Sequence, residues 1–381
     1  MKHQFNIYTT SRIDEPVIQN RLGLLGKLAS QAGYETKFFG LTPKSSTFEN
    51  SDYKIVSVGH DNDSKSDSFI WRFFFELYIS FRLMASSWKS SNECINFVSV
   101  PSLLLLITLP FFKTGKKLIV DIRDASWLYL INQGGFQKLL GYFFFIFAKL
   151  SLRKPELITT TNAAEYNHII NITKGKEIQL MTNGISDIRF QELEEISSNQ
   201  KNFSKTGSIS FAYIGNIGQA QKLDSFIKLI TKHQLINLKI VGSGSDLRRL
   251  KLIFKNFNNI EFVGKIDWNG VKETYKNTDF LFARIGSNYE TAVPSKIYEY
   301  ISAGRPIIIA AKGIAADFSC QFYGVHIVDP DNIKDLELII NKIVKSPYRL
   351  KISEIKKNRE LIEKMYIRDK SISNFLINLT N

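Results

Sequence analysis

Tyr289–Ala310 reads YETAVPSKIYEYISAGRPIIIA. The order of its residue types predicts a helix, a stop and a buried strand. Pro294 opens a helix in its first turn, where its missing N–H leaves no bond unmade. Gly304 suits the residue that closes the helix, and Pro306 prevents its continuation. Ile307–Ala310 is then a short, wholly apolar strand. Within the helix, Ile297, Tyr300 and Ile301 fall on the packing side.

The same alternation of helical period and short apolar run extends outward in both directions. Upstream, strands are expected at Ser208–Ile214, Leu238–Val241, Ile260–Val263 and Phe280–Ala283, and downstream at His326–Val328. The first half offers Phe5–Thr9, Thr36–Phe39, Tyr53–Val58, Ile95–Val98, Lys117–Asp121 and Leu157–Thr160. Between the first two of these, Leu22, Leu25 and Leu28 recur at helical spacing over Gln19–Ala32, and Gly33 stops the run. Such alternation implies parallel strands joined by crossover helices. The fold class expected is α/β, with two doubly wound, Rossmann-like domains. The first spans residues 1–188 and the second 208–359. The polar stretch 189–207 links them, and a C-terminal helix at about 360–381 packs back on the first domain. In open α/β sheets, ligands bind at the carboxyl ends of strands and at helix N-termini, which favours a phosphate-bearing ligand.

Composition narrows the field. The chain has 381 residues, 44% hydrophobic and 13% aromatic, enough for large cores without disulfides or structural metal. Cys94 and Cys320 lie far apart and read as small buried residues of a reducing compartment. The five histidines form no ligand pair at helical spacing. Against 36 acids stand 50 Lys and Arg, a net charge of +14 spread along the chain. Nucleic acid, an anionic membrane surface and phosphorylated small molecules all suit that excess, as does solubility alone. No basic helix stripe or aromatic RNA-binding motif supports nucleic acid, so none is expected as a partner. The most apolar run, Val100–Phe112, is shorter than the roughly 20 residues a membrane span requires, and Pro101 and Pro110 bracket it.

The helix at Pro294 carries the chemistry. Ser295 and Lys296 sit in its first turn, where free N–H groups and the helix dipole attract an anion. Glu299 shares their face, about 5–6 Å further along the axis. A diphosphate at the tip would bring an attached ribose to that carboxylate, which accepts hydrogen bonds from a vicinal diol. The alternative is a capped surface helix with a Lys296–Glu299 pair, and the spacing leaves both open.

PSKIYEYISAGRPII resembles the donor-binding helix of GT-B glycosyltransferases, specifically family 4 enzymes of bacterial surface-polysaccharide (capsule or O-antigen) synthesis. Tyr213–Leu223 (YIGNIGQAQKL), Leu238–Gly244 (LKIVGSG) and Glu261–Lys265 (EFVGK) are similar to three more of that family's motifs, in family order. Together they cover roughly Ser208–Val328, and the first half matches loosely. The resemblance implies that Gly215, Asn216 and Gly218 approach the β-phosphate and donor sugar. Gly242, Gly244, Gly264 and Lys265 line the nucleotide cleft. Ser295, Lys296 and Glu299 hold diphosphate and ribose. Arg284 and Lys296, with Lys222 beside them, carry the positive charge that stabilises the leaving nucleoside diphosphate. Fixed cations and N–H dipoles serve that purpose without a metal ion, and no metal or other cofactor is expected. The donor implied is a nucleotide-sugar, UDP favoured over GDP. The sequence departs from the family at Thr291, where a first glutamate is usual, with Glu290 one place off, and at Asn216, where Arg is common.

In the first half, Ile119–Trp127 (IVDIRDASW) ends a strand with two acids and an arginine. The resemblance implies that Asp121, Arg123 and Asp124 orient the donor sugar or the acceptor hydroxyl, with Asp124 catalytic, Asp121 and Arg123 on the acceptor side and Asp14 at another rim of it; an Asp–Arg brace of the loop is the plain alternative. Asp61 and Asp63 have the spacing of a metal-binding pair but read as a solvated loop. Phe69–Met84 and Gly135–Lys154 mix rings with Arg and Lys, as interfacial helices do and as core helices also do. The function expected is transfer of a hexose or N-acetylhexosamine to a lipid-linked saccharide acceptor, retaining and metal-independent, in the cytoplasm or at the cytoplasmic face of the inner membrane. A sugar-nucleotide epimerase or hydrolase of the same shape, a basic nucleic-acid-binding protein and a catalytically dead scaffold are the competing classes.

Overall fold

The computed structural model describes residues 3–44, 49–61, 69–100, 102–123, 125–199, 207–286 and 293–380. It divides into two compact units, one of Met1–Asn183 with Arg368–Asn381 and one of Gly184–Ile367.

The first unit holds β1 (Gln4–Arg12), β2 (Glu35–Pro43), β3 (Lys54–Asp61), β4 (Ile95–Val100), β5 (Lys117–Ile122), β6 (Leu157–Thr160) and β7 (Glu177–Leu180). Their order is β3-β2-β1-β4-β5-β6-β7, with every pair parallel. The second holds β8 (Ile209–Ile214), β9 (Ile236–Val241), β10 (Ile260–Gly264), β11 (Phe280–Arg284), β12 (Ile307–Ala310) and β13 (Val325–Val328), in the order β10-β9-β8-β11-β12-β13, again all parallel. These are two Rossmann-like sheets. Parallel sheets are covered by helices on both faces, so their strands are apolar throughout. β11 and β12 are buried at every residue. Each unit accordingly has two apolar clusters, one on each side of its sheet.

Strand order reverses between β1 and β4 in the first sheet and between β8 and β11 in the second. At such a reversal the flanking crossovers leave in opposite directions and open a crevice at the carboxyl ends of the strands.

Four sequence expectations change. The helix expected over Gln19–Ala32 is split: Pro16–Ile18 is α, Gln19–Gly23 a π turn, and Leu24–Gln31 α again, ending at Gly33 with φ +92°. The stretch 189–207 opens on helices, Asp187–Glu192 and Glu194–Ser198. Phe190, Leu193 and Ile196 from them are buried in the second unit. Those three apolar residues recur at helical spacing and are masked by the polar residues around them. Residues 200–206 lie outside the described residues. Cys94 is buried as expected, but Cys320 is exposed just after a short helix. Asp61, expected in a loop, ends β3, and Asp63 lies outside the described residues.

The chain ends in the first unit. The Arg368–Thr380 helix sends Ile372, Phe375 and Leu376 into the cluster of Phe5, Ile7, Leu22 and Leu25. At about 1.5–3 kcal/mol for each buried side chain, these contacts hold the helix in place. Arg368 adds hydrogen bonds to the carbonyls of Asn183, at 2.6 Å, and Asn20, at 3.1 Å.

Candidate functional site

At the reversal point of the second sheet, the hydrogen-bond ladder runs on past the strands. Gly215 N–H donates to Val241 at 2.9 Å, and Gly242 N–H donates to Gly264 at 2.8 Å. The turns after β8 and β9 therefore touch backbone to backbone, and the second also meets the end of β10. A Cβ on Gly242 would lie 1.8 Å from the Gly215 carbonyl, and its φ is +139°. Only glycine fits there.

Lys296 reaches this corner from the Ser295–Ser302 helix. Its Nζ donates to the Tyr213 phenol at 3.0 Å and lies 4.4 Å from the centre of that ring. The Tyr213 hydroxyl in turn donates to the Asn216 carbonyl at 2.6 Å. A Cβ on Gly215 would stand 3.2 Å from the ammonium. Among the described residues no carboxylate pairs with it, and burial pushes its pKa down to about 8. An unpaired cation held against a glycine backbone is a site prepared for an anion.

The helix tip has the same character. Pro294 is the capping residue and not the first helical one, with φ −62° and ψ 138°, and no described side chain caps the turn. Ser295 is exposed there. Tyr300 ties the helix to the end of β8, accepting from Ile214 N–H at 2.8 Å and donating to its carbonyl at 3.0 Å.

Glu299 turns away from Lys296, so the Lys296–Glu299 pair does not form. Its carboxylate accepts from Arg189 Nη1 at 2.5 Å and from the Tyr275 phenol at 3.3 Å. Ser186 caps the helix that delivers Arg189, and Asp267 caps the Trp268–Lys276 helix that delivers Tyr275. The Arg189 guanidinium lies 4.5 Å from the Trp268 ring centre. Glu192 accepts from the Trp268 indole at 2.5 Å and from Lys272 at 3.0 Å.

Arg284 ends β11, the strand beside β8, and so stands at the same reversal point. It is buried, donating from Nη1 to Ser225 Oγ at 3.1 Å, while its buried Nε has no partner among the described residues. Burial pushes its pKa down, against the pull of Asp331 and Asp224. Asn216, Lys222 and Lys265 are exposed. Lys222 has left-handed backbone, with φ +40°. Gly218 donates its N–H to Gln221 Oε1 at 3.0 Å. Residues 287–292, with Glu290 and Thr291, lie outside the described residues.

In the first unit, Asp121 is not on an acceptor-facing surface. It is wholly buried, paired with Arg21 at 2.7 Å and accepting from Thr159 at 2.8 Å and Ser99 at 3.2 Å. Burial alone would raise its pKa. The charge and hydrogen bonds of Arg21, the charge of Arg123 and the Thr159 bond outweigh that and hold it low. The π turn Gln19–Gly23 is what carries the fully buried Arg21. Arg123 is half-buried, and Asp124 lies outside the described residues. Asp14, just beyond β1, is chelated by Arg12, whose hydrogen bonds at 3.1 and 2.7 Å lower its pKa.

The structure thus gathers Gly215, Asn216, Lys296 and Tyr213 at one corner, lines Gly242 and Gly264 up behind it, and turns Glu299 to Arg189 and Tyr275. Sequence reasoning passed over Arg189, Tyr213 and Tyr275. Tyr213 was quoted inside the glycine motif, and a phenol two residues before its first glycine was the available signal.

Residues 195–366 match the model of the family described as glycosyl transferases group 1. No curated protein matches the chain. Solved structures match its whole length. Sucrose-phosphate synthase from Thermosynechococcus elongatus is 13% identical, with a TM-score of 0.73 over 100% of this chain and 98% of that one. HepE of Anabaena, solved in complex with UDP, is 12% identical, with a TM-score of 0.64 over 100% and 99%. WaaG, a glycosyltransferase involved in lipopolysaccharide biosynthesis, is 14% identical, with a TM-score of 0.67 over 97% and 98%. The fold is GT-B, and the second unit carries a group 1 glycosyltransferase domain, which makes the chain a glycosyltransferase.

Proposed function

We propose that the chain transfers a hexose or N-acetylhexosamine from a nucleoside-diphosphate sugar to a lipid-linked saccharide. The observation that carries the donor reading is the Lys296 ammonium, with no carboxylate partner among the described residues, against the Gly215 backbone at the point of strand reversal. In this reading Lys296, Arg284 and the N–H groups of the helix tip hold the pyrophosphate, Glu299 takes the ribose diol, and the loops after β9 and β10 flank the base. UDP is the preferred nucleotide, a choice that draws on the UDP bound by HepE. A lipid-linked acceptor of surface-polysaccharide type draws on the lipopolysaccharide role of WaaG.

The bond from the anomeric carbon to the β-phosphate oxygen breaks as the acceptor oxygen bonds to that carbon. Charge builds on the departing diphosphate, where Lys296 and Arg284 stabilise it. In a retaining, front-face displacement the departing phosphate oxygen takes the acceptor proton, and no protein base is required.

Thermal stabilisation by a panel of UDP, GDP and TDP tests the donor. A nucleotide at 100 times its dissociation constant adds about 2.7 kcal/mol. UDP is expected to stabilise most, and stabilisation by none of the three would overturn the reading. Product analysis with and without a polyprenyl-linked saccharide tests the transfer. Equal consumption of UDP-sugar in both arms would mark a hydrolase or epimerase.

A further inference from the structure

In a soluble helix the apolar stripe faces the core and the polar one faces water. Two helices of the first unit depart from this: they bury an apolar stripe and carry a second one on the outward face. On Phe69–Trp88 the outward positions are Trp71, Phe74, Tyr78, Phe81 and Trp88, while Ile79, Ser80, Leu83 and Ser87 are buried. On Gly135–Ser151 the outward positions include Phe136, Leu139, Phe143, Ile146 and Leu150, while Gly141, Phe144, Ala148 and Ser151 are buried. Exposure is large: 63% for Phe74, 62% for Trp88, 72% for Phe136 and 67% for Leu139.

The two stripes share one side of the unit. Both helices pack on the short Leu105–Thr108 helix. The turn that follows it, Leu109–Phe111, bridges them. The Trp88 indole donates to the Phe111 carbonyl at 2.9 Å, and Lys154 donates to the carbonyls of Pro110 and Phe112 at 2.6 and 2.5 Å. Phe111 is itself exposed. Among the described residues, ten exposed rings lie on these three elements. At about half of the roughly 200 Å² an aromatic side chain can bury, they present on the order of 1,000 Å². The largest apolar patch of an ordinary soluble monomer is roughly 300–600 Å².

Charge selects the occupant. Arg72, Arg82 and Lys89 are exposed along the first helix or just past its end, and Lys138, Lys149 and Arg153 along the second or just past its end. The first helix contains one acid, Glu76, and the second none. A second copy of this face would set cation against cation. A bilayer rich in anionic headgroups takes the rings at the boundary of its acyl chains and the cations at its phosphates. Among the described residues no helix is long and apolar enough to cross a membrane, so the pair would lie in the interface.

We propose that the first unit docks on anionic lipid through this face of Phe69–Trp88, Leu109–Phe111 and Gly135–Ser151. The proposal goes beyond the donor reading and does not depend on it. It is tested by co-sedimentation with vesicles of phosphatidylcholine alone and of phosphatidylcholine mixed with phosphatidylglycerol, together with Trp fluorescence and brominated-lipid quenching. Binding to the anionic vesicles, weakened by salt, with a blue shift and quenching, is expected. The double variant Phe74→Glu, Phe143→Glu changes two exposed rings, so melting and UDP binding should hold while partitioning falls roughly a hundredfold. Arg82→Glu with Lys149→Glu should also weaken binding and flatten its salt dependence. No association at low salt, or association that the ring variant leaves intact, would overturn the proposal. So would a wild-type dimer that the ring variant turns into a monomer.

Discussion

Lys296 donates to the Tyr213 phenol at 3.0 Å, and that phenol donates onward to the Asn216 carbonyl at 2.6 Å. The ammonium is thereby fixed against the glycine turn by a neutral partner, and no carboxylate among the described residues compensates its charge. A carboxylate in the same place would hold the lysine equally well and would repel a diphosphate.

Replacing this lysine separates function from folding. Lys296→Met removes a desolvated cation while keeping most of its apolar stem. It should lower kcat/KM roughly a hundredfold or more, with the melting temperature unchanged or raised. Steady-state kinetics and thermal melts on the same preparation check this, and a fall in melting temperature with activity retained would make Lys296 a structural residue.

The site should also respond to pH. Lys296 titrates at about 8 in the folded protein and near 10.5 when exposed. Between these values the unfolded chain binds more protons, so this group makes stability rise with pH through that window and lowers it below pH 8. A bound diphosphate favours the ammonium. UDP affinity should therefore decline above about pH 8, and binding there should take up protons. Calorimetry in two buffers of different ionisation heat measures the uptake, which Lys296→Met should abolish.

The ribose assignment has its own test. Glu299→Gln keeps the shape of the side chain but loses the Arg189 ion pair and the charged acceptor. UDP affinity should fall about tenfold, the value of one charge-assisted hydrogen bond. Against 2′-deoxy-UDP, wild type and variant should bind alike. Equal losses with both nucleotides would confine Glu299 to holding Arg189 and Tyr275.

The Arg21–Asp121 pair should matter to the first unit and not to nucleotide binding. Asp121→Asn leaves Arg21 charged and buried, a loss of about 3–5 kcal/mol. Because the carboxyl is held below its ordinary range, its stabilisation is complete above about pH 4 and is lost as pH falls further. Denaturant melts across acid pH measure both effects. Loss of UDP affinity with unchanged melting would contradict this assignment.

Much of the fold was legible because buried parallel strands are continuous apolar runs. Leu157–Thr160 and Ile307–Ala310 could be read to the residue. β7 could not: Glu-Ile-Gln-Leu is four residues long, half polar, and sits at a sheet edge where one side needs no burial. The site was legible as types and spacing and not as partners. Lys296 and Glu299 fall three apart on one helix, yet each is held by a residue far off in the chain, Tyr213 83 positions away and Arg189 110. Asp121 looked like an acceptor-side acid because nothing local reveals that a π turn a hundred residues earlier carries Arg21 to it.

A crystal structure of the protein with UDP tests the central claim most directly. The account predicts the pyrophosphate within hydrogen-bond distance of Lys296 Nζ and the first N–H groups of the Ser295–Ser302 helix, with the ribose hydroxyls at Glu299. UDP bound elsewhere, with the Lys296–Tyr213 corner unchanged and unoccupied, would contradict it.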